Sequence, residues 1–200
     1  MNNSLFRPQA LLLAFLLLLT APVLWSCNSE TAFQKTQREH EELMQRIDED
    51  TIKNYLRRNN MLAQAVRTNS GLYHVNLATG QGTPVTSGRQ VRVKYVGRFL
   101  SNGAQPGSTG YPASAGNSRD YPAGSIFDNS ADGRTACGCA VFTAGSGAIA
   151  GFSEGLLLMR QGDRKLLLIP SQLAYGPGGQ QGSIPPDAAL LFDVEVLAVL

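Results

Sequence analysis

Two hundred residues, with seventeen basic and fifteen acidic side chains and a formal net charge of +2, make room for one domain plus appendages. The charges are spread along the chain, so there is no basic field for nucleic acid, which is excluded as a partner. Three cysteines cannot build a disulfide scaffold, and the fold must rest on its hydrophobic core.

Residues 1–26 carry one charge, Arg7, then an apolar run over 10–19 and the sequence Leu24-Trp25-Ser26-Cys27. A basic start, a short apolar core and small residues before a cleavage point predict a secretory signal rather than a membrane-spanning helix. The Leu-x-Ser-Cys ending resembles the lipobox of bacterial lipoproteins, in which Cys27 would be acylated and become the mature N-terminus. Its removal takes Arg7 away and lowers the net charge from +2 to +1. Cys137 and Cys139 are then the only thiols left.

Residues 27–63 are expected to be a polar arm. The sets 43/44/47 and 52/55/56 have helical spacing, with no proline or glycine between residues 28 and 60. Roughly thirty helical residues would reach on the order of 45 Å, as a spacer, a self-pairing helix or a loosely ordered stalk. The domain is expected over 64–200. Residues 72–77 read as a strand and 80–88 as a turn-rich link. Over 89–99, Val91, Val93 and Tyr95 alternate with Arg92 and Lys94, which predicts a half-buried antiparallel strand with Tyr95 inward. Residues 104–124 hold Gly, Ser, Ala, Pro, Asn and Tyr with one acid and one base, and are expected to be a long surface loop.

Order returns at Ile126-Phe127-Asp128-Asn129-Ser130. Residues 136–143 suggest a short strand, and 149–152 lead into a helix ending at Gly162, with Phe152, Leu156 and Met159 on one face. The apolar run 166–169, closed by Pro170, predicts a buried strand. Beyond it, four glycines between Tyr175 and Ile184 let a loop fold back, bringing an aromatic hydroxyl and a branched aliphatic to its two ends. In the final strand, 190–200, Phe192, Val194 and Val196 alternate with Asp193 and Glu195. Together these elements predict an α+β domain, a curved antiparallel sheet of about five strands wrapped on one short helix.

Taken in order, Val93-x-Tyr95-x-Gly97, Phe127-Asp128-Asn129-Ser130, Ile149-x-Gly151-Phe152-x-Glu154-Gly155, Met159-x-x-Gly162, Ile169-Pro170, Ala174-Tyr175-Gly176, Ile184-Pro185-Pro186 and Leu190-x-Phe192-x-Val194-Glu195 form one series. It resembles the FKBP-type peptidyl-prolyl cis-trans isomerases over residues 89–197, in an exported bacterial lipoprotein form. The resemblance implies catalytic roles for Tyr95, Asp128 and Tyr175, and a substrate pocket of Phe127, Ile149, Phe152, Ile184 and Phe192. It implies proline-containing polypeptides as substrates in the folding of exported proteins, and admits a macrolide ligand. The protein would sit in the cell envelope, periplasm-facing or on the outer membrane, held by an N-terminal lipid on Cys27. No cofactor or metal is implied. The alternative is a low-activity binding protein or chaperone that keeps the fold.

Phe152 stands where most members of that family have tryptophan, Ala148 replaces the usual valine, and the link from Gly145 to Gly151 is one residue short. The pocket aromatic expected before Phe142 aligns with about Ala140, which predicts a wider wall. The 104–124 insertion is the largest departure, readable as a substrate-gripping flap or a tolerated loop. The polar set Tyr95, Asp128 and Tyr175 is one that a pure core would avoid. Asp128 is expected beside the reacting carbonyl, fixed by Tyr95 and by Arg134.

Two further motifs draw attention. A Cys137-Gly138-Cys139 strand would project both thiols to one face, as two small buried residues or a redox-labile pair. The run Gly151-Phe152-Ser153-Glu154-Gly155 matches a hydrolase nucleophile elbow. Both histidines, His40 and His74, precede Ser153, whereas that fold needs one after it, and the elbow is rejected.

Overall fold

The computed structural model describes residues 30–100, 124–133 and 135–200. The expected signal segment, Cys27 with its expected lipid, residues 104–123 of the insertion and Arg134 lie outside the described residues. The chain divides into two compact units between Arg38 and Glu39. In the first, Thr31 and Gln34 cap the start of helix α1 (Ala32–Arg58) reciprocally: the Gln34 side chain takes the Thr31 N–H at 2.9 Å, and Thr31 Oγ1 takes the Gln34 N–H at 3.2 Å. At its other end Asn60 turns left-handed (φ 55°) and the Met61 N–H returns to the Leu56 carbonyl, which closes the helix.

In the second unit, residues 39–58 of α1 pack on the sheet. Met44, Asp48, Thr51, Ile52 and Leu56 are buried, a stripe at helical spacing. The sequence reading placed the domain's start at residue 64 and made this helix an arm; the compact unit begins at Glu39 instead. Of the apolar residues that looked sparse, Met44, Ile52 and Leu56 fall on the stripe that meets the sheet, while Leu43 on the same helix is exposed.

Seven antiparallel strands form the sheet among the described residues: β1 (Val66–Arg67), β2 (Tyr73–Ala78), β3 (Gln90–Phe99), β4 (Ile126–Asn129), β5 (Ala140–Thr143), β6 (Arg164–Ile169) and β7 (Leu190–Val199). Their order is β1-β2-β6-β7-β3-β4, with β5 also pairing β3. Helix α2 (Ala150–Leu157) lies on the opposite face from residues 39–58 of α1. Two layers of core result. Leu167, Ile169, Leu190, Phe192, Val194 and Val196 join Phe152 and Leu156 of α2, while Leu166, Leu168, Leu191, Tyr73 and Val75 join Ile52 and Leu56 of α1. The unbroken apolar run 166–169 has this cause, since a strand covered on both faces has no polar side.

Gly151 and Gly155, one helical turn apart, let α2 lie close on β6. A Cβ on Gly151 would come within 2.5 Å of Ile169 Cγ2, and one on Gly155 would run into Leu167. The expected helix to Gly162 stops short at Leu157. The Met159 carbonyl is taken by the Val85 N–H at 2.9 Å, and Pro84 bridges Arg160, so the chain leaves the helix to pair with the link 80–88. The expected 136–143 strand is also shorter, because residues 136–138 turn at Gly138 before β5 begins at Ala140.

Candidate active site

The site grows from a gap in the ladder along β3. One side of β3 pairs with β7 throughout; the other pairs with β5 through Gln90–Val93 and with β4 through Val96–Arg98. Between the two, the Tyr95 N–H is met by the Ser130 hydroxyl at 3.0 Å rather than by a strand carbonyl. The Tyr95 side chain, alternating inward with Val91 and Val93, crosses to the end of β4 and donates its hydroxyl to Asp128 Oδ2 at 2.9 Å.

A cleft of about 170 Å³ opens there, lined by Tyr95, Asp128, Phe142, Gly147, Ala148, Ile149, Phe152, Tyr175 and Phe192. Phe152, buried on α2, forms its floor, with Phe142 and Phe192 at 5.1 Å and Tyr95 at 5.7 Å between ring centroids. The rings meet tilted or edge-on, the favoured geometries for aromatic pairs. Ile149 stands just before α2, and the short turn 145–149 brings Gly147 and Ala148 to the rim. Six of the eight residues expected at the site therefore share one cavity: Tyr95, Asp128, Tyr175, Ile149, Phe152 and Phe192.

Phe127 and Ile184 do not line it. Phe127 packs behind the wall, 5.0 Å from Phe99 and 5.5 Å from Phe192, and Ile184 is buried in the α2-side core. Gly97 makes room for that backing, since a Cβ there would lie 2.8 Å from Phe127 Cζ and 2.9 Å from Phe192 Cε1. Asp128 is exposed at the rim rather than buried. The expected wide wall at Ala140 is filled by Phe142, one pleat further along β5, with its ring 5.8 Å from Tyr95. Period-two alternation from Ala140 was the signal that pointed to it.

Burial is the main cause that raises the Tyr95 hydroxyl above the usual tyrosine range, with the bond to Asp128 adding to it. The Tyr175 hydroxyl is raised too, first by burial and then by the Asp128 charge. Both stay protonated donors at neutral pH. Among the described residues the Tyr175 hydroxyl has no hydrogen-bond partner, and it remains available to a ligand.

The Tyr175 loop is held from α1, which sequence reasoning missed. Asp48 Oδ2 accepts the Ser171 N–H at 2.8 Å and the Ser171 hydroxyl at 2.6 Å, four residues before Tyr175. His40 Nε2 lies 3.1 Å from Asp187 Oδ2, and the Asp187 N–H reaches the Gly176 carbonyl at 2.9 Å. Burial pushes the Asp48 carboxyl up to about 6, against the lowering effect of Ser171.

A sheet wrapped on one short helix, with an aromatic cleft between them, matches solved structures of one class. A crystal structure of a peptidyl-prolyl cis-trans isomerase from Pseudomonas syringae superposes with a TM-score of 0.51 at 27% identity, covering 68% of this chain and 80% of that one. Residues 81–197 match the sequence profile of the FKBP-type peptidyl-prolyl cis-trans isomerases. An FK506-binding protein of Neisseria meningitidis is 34% identical over 130 residues, 64% of this chain and 96% of the relative. The Escherichia coli FKBP-type 22 kDa peptidyl-prolyl cis-trans isomerase is 32% identical over 146 residues, 73% of this chain and 58% of the relative. Some relatives are much longer: the match spans 28% of a Dictyostelium discoideum FK506-binding protein. The chain belongs to the FKBP-type peptidyl-prolyl cis-trans isomerase family, and isomerisation of prolyl peptide bonds is the activity that membership supports.

Proposed function

We propose that the cleft isomerises X-Pro bonds of exported polypeptides by drying and twisting the amide, with no covalent step. Rotation about this bond faces a barrier of about 18–20 kcal/mol because amide resonance must be lost. The twisted amide is less polar than the planar one, and water stabilises the planar form better than hydrocarbon does. Phe142, Phe152, Phe192 and Ile149 supply the dry walls. The prolyl ring stacks on Phe152, the Tyr175 hydroxyl donates to a substrate carbonyl, and Asp128, held by Tyr95, faces the twisting carbonyl. Phe127 and Ile184 support the walls from behind. The observation that carries this reading is the convergence of Phe152, Tyr175 and the Tyr95–Asp128 pair on one cavity.

We place the protein at the cell envelope, anchored by a lipid on Cys27 after removal of residues 1–26. The support is the basic-apolar-small pattern of that segment and its Leu-x-Ser-Cys ending. Among the described residues no helix is long and apolar enough to cross a membrane. A macrolide would occupy the same aromatic cleft.

The test is a protease-coupled assay on a proline peptide, comparing the parent protein with Tyr175→Phe. Loss of one hydrogen bond of about 1–1.5 kcal/mol predicts roughly a tenfold fall in kcat/KM, with an unchanged unfolding midpoint. A parent no faster than the uncatalysed reaction, or a variant equal to the parent, defeats this mechanism and favours a binding role.

A further inference from the structure

Cys137 and Cys139, which the cleft chemistry does not use, are joined by a disulfide across a single residue. Gly138 between them has a φ of +57°, the left-handed region that favours glycine. This turn draws the two Cα atoms to 5.2 Å, within the span a disulfide requires. A bridge closing so small a loop takes little freedom from the unfolded chain, and so is a poor structural staple.

The two sulfurs are not equivalent. Cys137 is exposed, whereas Cys139 is 4% exposed. The Thr135 hydroxyl accepts the Cys139 N–H at 3.0 Å and donates to the Cys139 carbonyl at 2.8 Å, which pins that residue beside its partner. One sulfur is thus open to attack, and the other is sheltered and held within reach of it.

The bridge also stands on the wall of a second cavity. An open groove of about 440 Å³ is bordered by Cys137, Gly138, Ser130, Tyr95, Arg164 and Glu195, among others. Tyr95 borders both this groove and the aromatic cleft. The Ser130 hydroxyl that accepts the Tyr95 N–H donates in turn to the Gly138 carbonyl at 2.8 Å. The bridge and Tyr95 therefore share one hydroxyl.

We propose that Cys137–Cys139 is a thiol–disulfide exchange site for cysteine-bearing polypeptides lying in this groove. The proposal rests on the isomerase reading only in taking the ligand to be a polypeptide. A substrate thiolate attacks Cys137 Sγ, the S–S bond breaks, and the electron pair leaves on Cys139 Sγ, which takes up a proton. A second substrate thiolate then attacks the substrate sulfur of the mixed disulfide and expels Cys137, which is protonated in turn. The substrate loses two electrons and two protons, and the cysteine pair gains both. In reverse, Cys137 opens a substrate disulfide and Cys139 resolves the adduct.

The test uses the full chain carrying Cys27→Ser, so that only two cysteines remain. The oxidised protein is mixed with an equimolar, proline-free fluorogenic peptide containing two cysteines, with oxidised glutathione at the same concentration as reference. The expected result is peptide oxidation roughly tenfold faster than by glutathione, with the transient adduct located on Cys137 by mass spectrometry. Gly138→Val and Cys137→Ser should lose exchange while both retain prolyl isomerase activity, which also reports that they fold. Exchange no faster than glutathione overturns the proposal, as does an undiminished rate in either variant or a cysteine pair that stays reduced in glutathione buffer. A parent lacking isomerase activity would defeat the preceding section and leave this result standing.

Discussion

Replacing Asp48 by asparagine isolates the titration of one buried carboxylate that anchors the Tyr175 loop. Its pKa is raised from 3.8 to about 6, chiefly by burial. A carboxyl whose folded pKa exceeds its unfolded one stabilises the protein fully below the unfolded value, and that stability is lost as pH rises through the folded value. Two pKa units correspond to about 3 kcal/mol, so the parent should lose about that much between pH 3.5 and 7 through this group alone. The asparagine carbonyl still accepts the two Ser171 bonds, but nothing titrates. Its amide nitrogen falls where Asp48 Oδ1 is buried without a partner, a cost of about 1–3 kcal/mol that lowers the whole curve without changing its slope. Asp187, the other charge acting on Asp48, is present in both proteins and cancels in the difference to first order. Urea denaturation at half-unit steps of pH gives the two stability curves. The parent should fall relative to Asp48→Asn by about 3 kcal/mol across that window, centred between the two pKa values. Parallel curves would refute the reasoning.

Three other substitutions bear on residues outside the cleft. Leu56→Ala, at a fully buried position of α1, should cost about 2–5 kcal/mol in urea denaturation, whereas Leu43→Ala, 47% exposed on the same helix, should stay within about 0.5 kcal/mol. Equal effects would show that the helix does not pack as part of the domain. Cys27→Ser should move the protein from the membrane to the soluble fraction of the cell envelope, and retention in the membrane fraction would remove the lipid anchor from the account.

Much of the site was legible because its residues sit at element ends marked by strong local signals. Tyr95 follows a strict alternation, Phe152 sits on the buried face of a short helix, and Tyr175 begins a glycine-rich turn. Phe142 was displaced from notice by matching the wall to Ala140, although the alternation of β5 sets both on one face. Phe127 and Ile184 carry the same apolar chemistry as the cleft walls. A sequence cannot tell a residue that lines a cavity from one that backs it, because the difference is a few ångströms of depth.

The sequence by itself determined the period-two strands, the short apolar helix and the order of aromatic and polar groups along the chain, because these depend on neighbours within a few residues. Only the tertiary structure decided which partner covers each face. The run 166–169 demands apolar contact on both sides, but nothing local says that residues 39–58 of α1 provide the second cover, or that Asp48 reaches across 123 positions to hold Ser171. Those contacts join distant parts of the chain, and their energy is realised only once the sheet has brought them together.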